Sequence, residues 1–213
     1  MKIYLNVVAV LIYFWQSSLF ASEPSSKVAC VYTGSFDPLH KGHFSVMEIA
    51  HERKCQEVYV VAKRGFFSEK PDRRPWEIRY QMLQIALKDK GFIRLPKEDY
   101  PDLVCQLRSS GHRIIGIVGS DRAAKPSEDH RKLDVDEWFV VTRTEHENDE
   151  PLIRKNTLMG KPMEVFVVHG NGDSSTQVRH GISSGQDIAS TAIMPEIISF
   201  VKEHKLYQAS EAE

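Results

Sequence analysis

Five short apolar runs, separated by stretches with helical periodicity, constrain this chain more than any other feature. Residues 27–32 (KVACVY), 58–62 (VYVVA), 112–118 (HRIIGIV), 138–142 (WFVVT) and 164–168 (EVFVV) are brief and rich in β-branched residues. That is the signature of buried strands. Between them, Phe44, Val46, Met47, Ile49 and Ala50 recur at helical spacing within residues 43–51. Pro75 is placed to open a second helix through Ile78, Met82, Ile85 and Ala86, and Leu103 and Leu107 mark a third. Residues 175–180 and 196–206 read as the last helices, with Pro195 at the start of the final one. Strands that alternate with helices imply an α/β fold, a mostly parallel sheet covered on both faces.

Such sheets bind ligands beyond the carboxyl ends of their strands. The site is therefore expected among residues 33–43, after Val118 and after Val168, where Gly, Ser, Asp and His replace bulky apolar residues. No Gly-x-Gly-x-x-Gly follows the first strand and no Gly-Lys-Ser/Thr is present, so neither a standard dinucleotide fingerprint nor a P-loop is indicated. With 28 basic and 29 acidic residues, the charge balance argues against a nucleic-acid partner. Residues 145–150 form an acidic stretch that reads as a solvated loop, and residues 65–74 form a basic loop. Cys30, Cys55 and Cys105 are too few for a disulfide scaffold, lack metal-ligand spacing and read as small buried hydrophobes.

The amino terminus is a separate object. Met1 and Lys2 precede an apolar run from Ile3 to Trp15, interrupted only by Asn6, and a small residue follows at Ala21. These are the parts of a secretory leader. The run is shorter than the ~20 apolar residues of a full membrane span. Three readings stay open: a signal peptide cleaved after Ala21, an uncleaved anchor giving membrane association through residues 3–20, or a segment not used for export. They correspond to a secreted or periplasmic, a membrane-anchored and a cytoplasmic protein. The expected organisation is a leader at 1–21, a linker at 22–27, one domain at 28–207 and a tail at 208–213.

Two constellations carry chemistry. In the first, Thr33, Gly34, Ser35, Phe36 and Asp37 lead through Pro38 and Leu39 to His40, Lys41, Gly42 and His43. Gly34 and Gly42 let backbone approach a ligand closely. Amides at the helix start can hold phosphate oxygens. His40 and His43, three apart, can face one point and donate to a phosphoryl group without a covalent role. Taken alone, the segment also reads as an Asp-Pro turn with two exposed histidines. A zinc site lacks a third ligand, and no metal ligand is assigned. In the second constellation, Asp173, Ser174, Ser175, Thr176, Gln177, Val178 and Arg179 follow the flexible Gly170-Asn171-Gly172. Ser174 or Ser175 can cap a helix, hydroxyls and amides can hold phosphate, and Arg179 can clamp the same oxygens. An ordinary serine-capped helix with a surface arginine is the alternative.

The first segment resembles the Gly-x-Phe-Asp-Pro-x-His-x-Gly-His signature of the nucleotidyltransferases related to class I aminoacyl-tRNA synthetases. The second resembles their Ile-Ser-Ser-Thr-x-x-Arg motif, with Asp173 where isoleucine is usual. Within that group the chain resembles the nicotinate mononucleotide adenylyltransferases. Arg79-Tyr80-Gln81-Met82 matches their Arg-x-x-Met helix, Gly119-Ser120-Asp121 their Gly-x-Asp, Arg143 an arginine after the next strand, and Leu206-Tyr207 their closing pair. Lys63-Arg64-Gly65-Phe66-Phe67 stands in place of their Pro-x-x-x-Pro-His-Lys loop.

The resemblance implies a Rossmann-like nucleotidylyl transferase fold and transfer of a nucleoside monophosphate to an acceptor phosphate, with release of pyrophosphate. It implies ATP as substrate, Mg²⁺ bound with the nucleotide, and an acceptor such as nicotinate mononucleotide. His40 and His43 would bind the triphosphate, and Thr33, Gly34, Ser35, Phe36, Asp37 and Gly42 would frame the nucleotide. Gly119 and Asp121 would lie near the nucleoside, and Ser174, Ser175, Thr176 and Arg179 would hold the outer phosphates. Lys63, Lys70, Arg79 and Arg143 are further candidate contacts to phosphate or acceptor. A cytidylyltransferase, a pantetheine-phosphate-type adenylyltransferase and a catalytically silent nucleotide-binding protein are the alternatives, and a homo-oligomer is allowed.

Overall fold

The structure is a computed structural model that describes residues 27–64, 73–126, 133–143, 156–168 and 174–208. The leader at 1–21, most of the linker, residues 65–72 of the basic loop, the acidic stretch at 145–150, residues 170–173 and the tail beyond 208 lie outside them. Among the described residues, no helix is long and apolar enough to cross a membrane.

The strands are β1 (Val28–Gly34), β2 (Glu57–Ala62), β3 (Ile93–Arg94), β4 (Arg113–Gly119), β5 (Glu137–Arg143), β6 (Thr157–Leu158) and β7 (Lys161–Val168). The helices are α1 (Lys41–Arg53), α2 (Trp76–Leu87), α3 (Tyr100–Ser109), α4 (Ser120–Ala124), α5 (Ser175–Ser183) and α6 (Ile198–Glu203). One sheet forms in the order β3-β2-β1-β4-β5-β7-β6, parallel except for the β6–β7 pair. The five expected strands are there, most extended by a residue or more. The short β3 and β6 and the helix α4 carry too few residues to show a period. The expected helix at 196–206 is divided into a 3₁₀ turn at Pro195–Ile197 and α6, which ends at Glu203.

Alternation along the strands sends side chains into two cores. Cys30, Val58, Val60, Ile115, Ile117, Phe139 and Val141 pack with residues of α1, α2, α5 and α6. Ala29, Val31, Val61, Ile114, Val118, Trp138 and Val140 pack with residues of α3 and α4. Gly116 is required there, because a Cβ on it would lie 2.6 Å from the Trp138 ring. This two-faced burial defines a doubly wound α/β fold.

The cysteine expectation needs correction. Cys30 and Cys55 are buried but joined by a disulfide, and Cys105 is exposed. Strand β1 runs beside the turn that enters β2, which places the two Cα atoms 5.7 Å apart, within disulfide range. Their sequence separation of 25 conceals that adjacency.

The strand order also locates a ligand site. The chain works outward from β1 to β2 and β3, then returns to lay β4 on the other side of β1. At that reversal the loops after β1 and β4 diverge, leaving a crevice at the carboxyl ends.

Candidate active site

The crevice is built first from the turn between β1 and α1. Thr33 and Gly34 finish β1, and Gly34 must be glycine: a Cβ there would come within 2.8 Å of the Phe36 ring. Phe36 is buried and adopts φ +49°, and Asp37–Pro38 is a cis peptide. His40 is the N-cap of α1, while Gly42 and His43 lie in its first turn. An antiparallel bridge from His40 to Ile193 and a 2.9 Å bond from Lys41 N–H to the Ala192 carbonyl fix the helix start.

The two histidines are placed together. Their ring centroids are 3.7 Å apart, and the His40 backbone N–H donates to His43 Nδ1 at 3.4 Å. With Nδ1 accepting, a neutral His43 carries its proton on Nε2, the tautomer suited to donate to a phosphate oxygen. His40 is buried and His43 half-buried, with Phe36 packed edge-on to His43 at 5.1 Å.

The second constellation reaches the same turn. Ser174 caps α5, accepting from Gln177 N–H at 3.2 Å, while Gln177 Oε1 accepts from Ser174 N–H at 2.7 Å. Ser175 Oγ donates to the Pro38 carbonyl at 3.0 Å. Arg179 Nη1 donates to the Asp37 carbonyl at 2.7 Å, and its Nη2 donates to Thr176 Oγ1 at 3.3 Å. Helix α5 is thus tethered to the histidine-bearing turn, with its N-terminal end, where the helix dipole favours anions, beside it.

Asp37 is the buried hub of this turn. Its Oδ1 accepts from the Tyr207 hydroxyl at 2.6 Å and its Oδ2 from Arg74 N–H at 3.1 Å. Burial, then the negative charge of Asp37, pushes the Tyr207 hydroxyl well above the ordinary tyrosine pKa. Residue spacing gives no hint of a 170-residue link from the last turn of the chain to this one. The Leu206-Tyr207 pair was legible only as a likeness.

The other expected contacts separate. Arg79 is buried and donates to three carbonyls, those of Arg74 (2.8 Å), Ser35 (2.6 Å) and Lys63 (2.9 Å). It is a strut beneath the turn instead of a group reaching into the crevice. Burial, then the neighbouring Arg73, lowers its pKa from the usual arginine value. Lys63 follows β2, its backbone N–H donating to the Gly34 carbonyl at 2.9 Å. Gly119 ends β4 and caps α4, which contains Asp121; Arg143 ends β5. Lys70 and the side chains of Asp121 and Arg143 lie outside the described residues. Arg73, not expected from the motifs, donates to Ser35 Oγ.

Among the described residues, no group of three or more His, Cys, Asp and Glu could hold a metal ion. Asp37, the buried acid of the turn, already has a donor on each carboxylate oxygen. The donor set is imidazole, guanidinium, hydroxyl and amide, which suits phosphate.

A crevice at the reversal of a doubly wound sheet, with histidines from one loop and a serine-arginine helix from another, has the donor set of nucleotide-handling α/β proteins. The chain belongs to the cytidylyltransferase-like family, which it matches over residues 31–181. It is similar to a probable nicotinate-nucleotide adenylyltransferase of Acholeplasma laidlawii, 22% identical over 84% of this chain and 96% of the relative. A second relative of the same description, from Desulfitobacterium hafniense, is 26% identical over 82% of this chain and 93% of its own length. Among solved structures, the fold resembles the nicotinic acid mononucleotide adenylyltransferase of Plasmodium falciparum, complexed with APC, with a TM-score of 0.66 and 21% identity. That likeness covers 85% of this chain and 97% of the other.

Proposed function

We propose that this protein transfers an adenylyl group from ATP to the phosphate of a nicotinate or nicotinamide mononucleotide-type acceptor, releasing pyrophosphate. The observation that carries this reading is the tether from Ser175 and Arg179 to the Asp37–Pro38 turn, which gives both phosphate-binding segments one crevice. The similarity to two nicotinate-nucleotide adenylyltransferases supports the acceptor class.

In this mechanism an acceptor phosphate oxygen attacks the α-phosphorus of ATP. A new P–O bond forms, the bond from the α-phosphorus to the oxygen bridging to the β-phosphorus breaks, and pyrophosphate departs with that oxygen. No protein nucleophile is needed; catalysis is positioning and charge stabilisation. His40 and His43 donate toward oxygens of the α-phosphoryl group. The backbone around Thr33, Gly34 and Ser35 carries the nucleotide, while Ser174, Ser175, Thr176 and Arg179 hold the departing phosphates. Gly119 and Asp121 would contact the nucleoside. Mg²⁺ bound with the nucleotide would supply neutralisation of phosphate charge, and the described residues, which offer no cluster of acidic or histidine ligands for it, would leave it to be held by the phosphates.

The disulfide supports an oxidising compartment, as does the leader expected at residues 1–21. Release of pyrophosphate by purified protein, with ATP or CTP and with nicotinate mononucleotide, nicotinamide mononucleotide or phosphopantetheine, tests the assignment. ATP with a pyridine mononucleotide is the expected pair. Turnover confined to CTP or phosphopantetheine would reassign the substrate, and no turnover with any pair would contradict the transferase reading.

A further inference from the structure

Arg73 belongs to none of the motifs, yet its guanidinium reaches the turn that follows β1. It lies at the entry to α2, half-buried, with Nη2 donating to the hydroxyl of Ser35 at the end of β1. Burial, above all, lowers its pKa from the usual arginine value; the charge of Asp37 opposes that shift and the charges of Arg122 and Arg179 add to it. Arg179 from α5 also donates to the Asp37 carbonyl, so guanidiniums carried by two separate segments meet at the Ser35–Asp37 turn.

Elsewhere among the described residues, several arginines pair with acids. Arg94 pairs with Glu57, Arg113 with Glu137, and Arg108 with Asp134 and Asp136. At the turn, by contrast, Arg179 and Arg79 donate to carbonyl and hydroxyl oxygens. Clustered like charges raise the free energy of the empty protein. A polyanion entering the crevice relieves that repulsion, and the planar guanidinium fork matches phosphate oxygens.

We propose that Arg73 is a polyphosphate-binding residue, engaging the outer phosphates of the nucleoside triphosphate at the Ser35–Asp37 turn. The inference rests on the transferase reading and deepens it by assigning the discrimination between tri- and monophosphate. Without ligand, the Ser35 hydroxyl holds the side chain in place; with ligand, phosphate oxygens take over as its acceptors. A lysine would keep the charge and lose the fork.

Calorimetric titration of full-length wild type, Arg73→Lys and Arg73→Gln with ATP, AMP and inorganic tripolyphosphate, each with magnesium, tests this. Loss of a charge-assisted contact should weaken ATP and tripolyphosphate binding to Arg73→Gln by about tenfold or more, leaving AMP within about twofold. Arg73→Lys should fall between, and it serves alone if the glutamine variant does not fold. Equal weakening of ATP and AMP, or no weakening, would overturn the role of Arg73 and leave the transferase reading standing. A wild type that binds ATP no better than AMP would overturn both.

Discussion

Arg179 Nη1 donates to the carbonyl oxygen of Asp37 at 2.7 Å, joining two residues 142 positions apart. The bond anchors the start of α5 against the turn that carries His40 and His43. Arg179→Ala should therefore do two things. Losing the tether should lower stability by about 1 kcal/mol, the net worth of such a bond. Losing a preorganised donor to the departing phosphates should lower kcat/KM by about a hundredfold, with Arg179→Lys recovering part of it. Urea unfolding and steady-state pyrophosphate release measure the two separately.

Arg79 should behave in the opposite way. Its three carbonyl acceptors belong to β1's end, β2's end and the entry to α2. Arg79→Met removes three donors from buried oxygens and should cost about 3 kcal/mol. Arg79→Lys should recover little, because an ammonium group cannot span the same fork. Chemical denaturation of both variants checks this.

Much of the architecture was legible because burial on both faces forces β-branched runs, as at residues 113–118 of β4. The two candidate segments stood out in the sequence because glycine, hydroxyl and imidazole residues cluster at strand-to-helix turns, and the structure brings them together. What stayed hidden was contact across long separations. Arg79 gave no sign that it faces carbonyls, nor Tyr207 that it reaches Asp37, nor Cys30 that it meets Cys55. Those facts follow from strand order, which residue spacing alone does not encode.

The disulfide closes a loop of 25-residue separation, for which chain-entropy arguments give ~3.5 kcal/mol. Reduction should accordingly lower Tm by roughly 7–14 °C for a domain of this size. Thiol titration of the unfolded, non-reduced protein should find one free cysteine, Cys105, and three after reduction. Three thiols before reduction would show that the pair is not bonded.

Alkaline pH should destabilise the fold. Burial, then donation to Glu57, pushes Tyr59 up to about 12. Burial also raises Tyr100 and Tyr207, in each case as the leading cause. In the unfolded chain these hydroxyls ionise near 10, so from there upward the unfolded state releases protons that the folded state retains. Their contribution is complete below about pH 10 and is lost as pH rises toward the folded values, by up to about 1.4 kcal/mol per pH unit for each deeply buried tyrosine. Tyr207→Phe should flatten that decline, as denaturation at pH 9 to 11.5 would reveal.

A crystal structure of the protein with a non-hydrolysable ATP analogue tests the shared crevice most directly. The account predicts the α-phosphate within hydrogen-bonding distance of His40 or His43 and the outer phosphates against Ser175 and Arg179. An analogue bound with its phosphates away from either segment would contradict it.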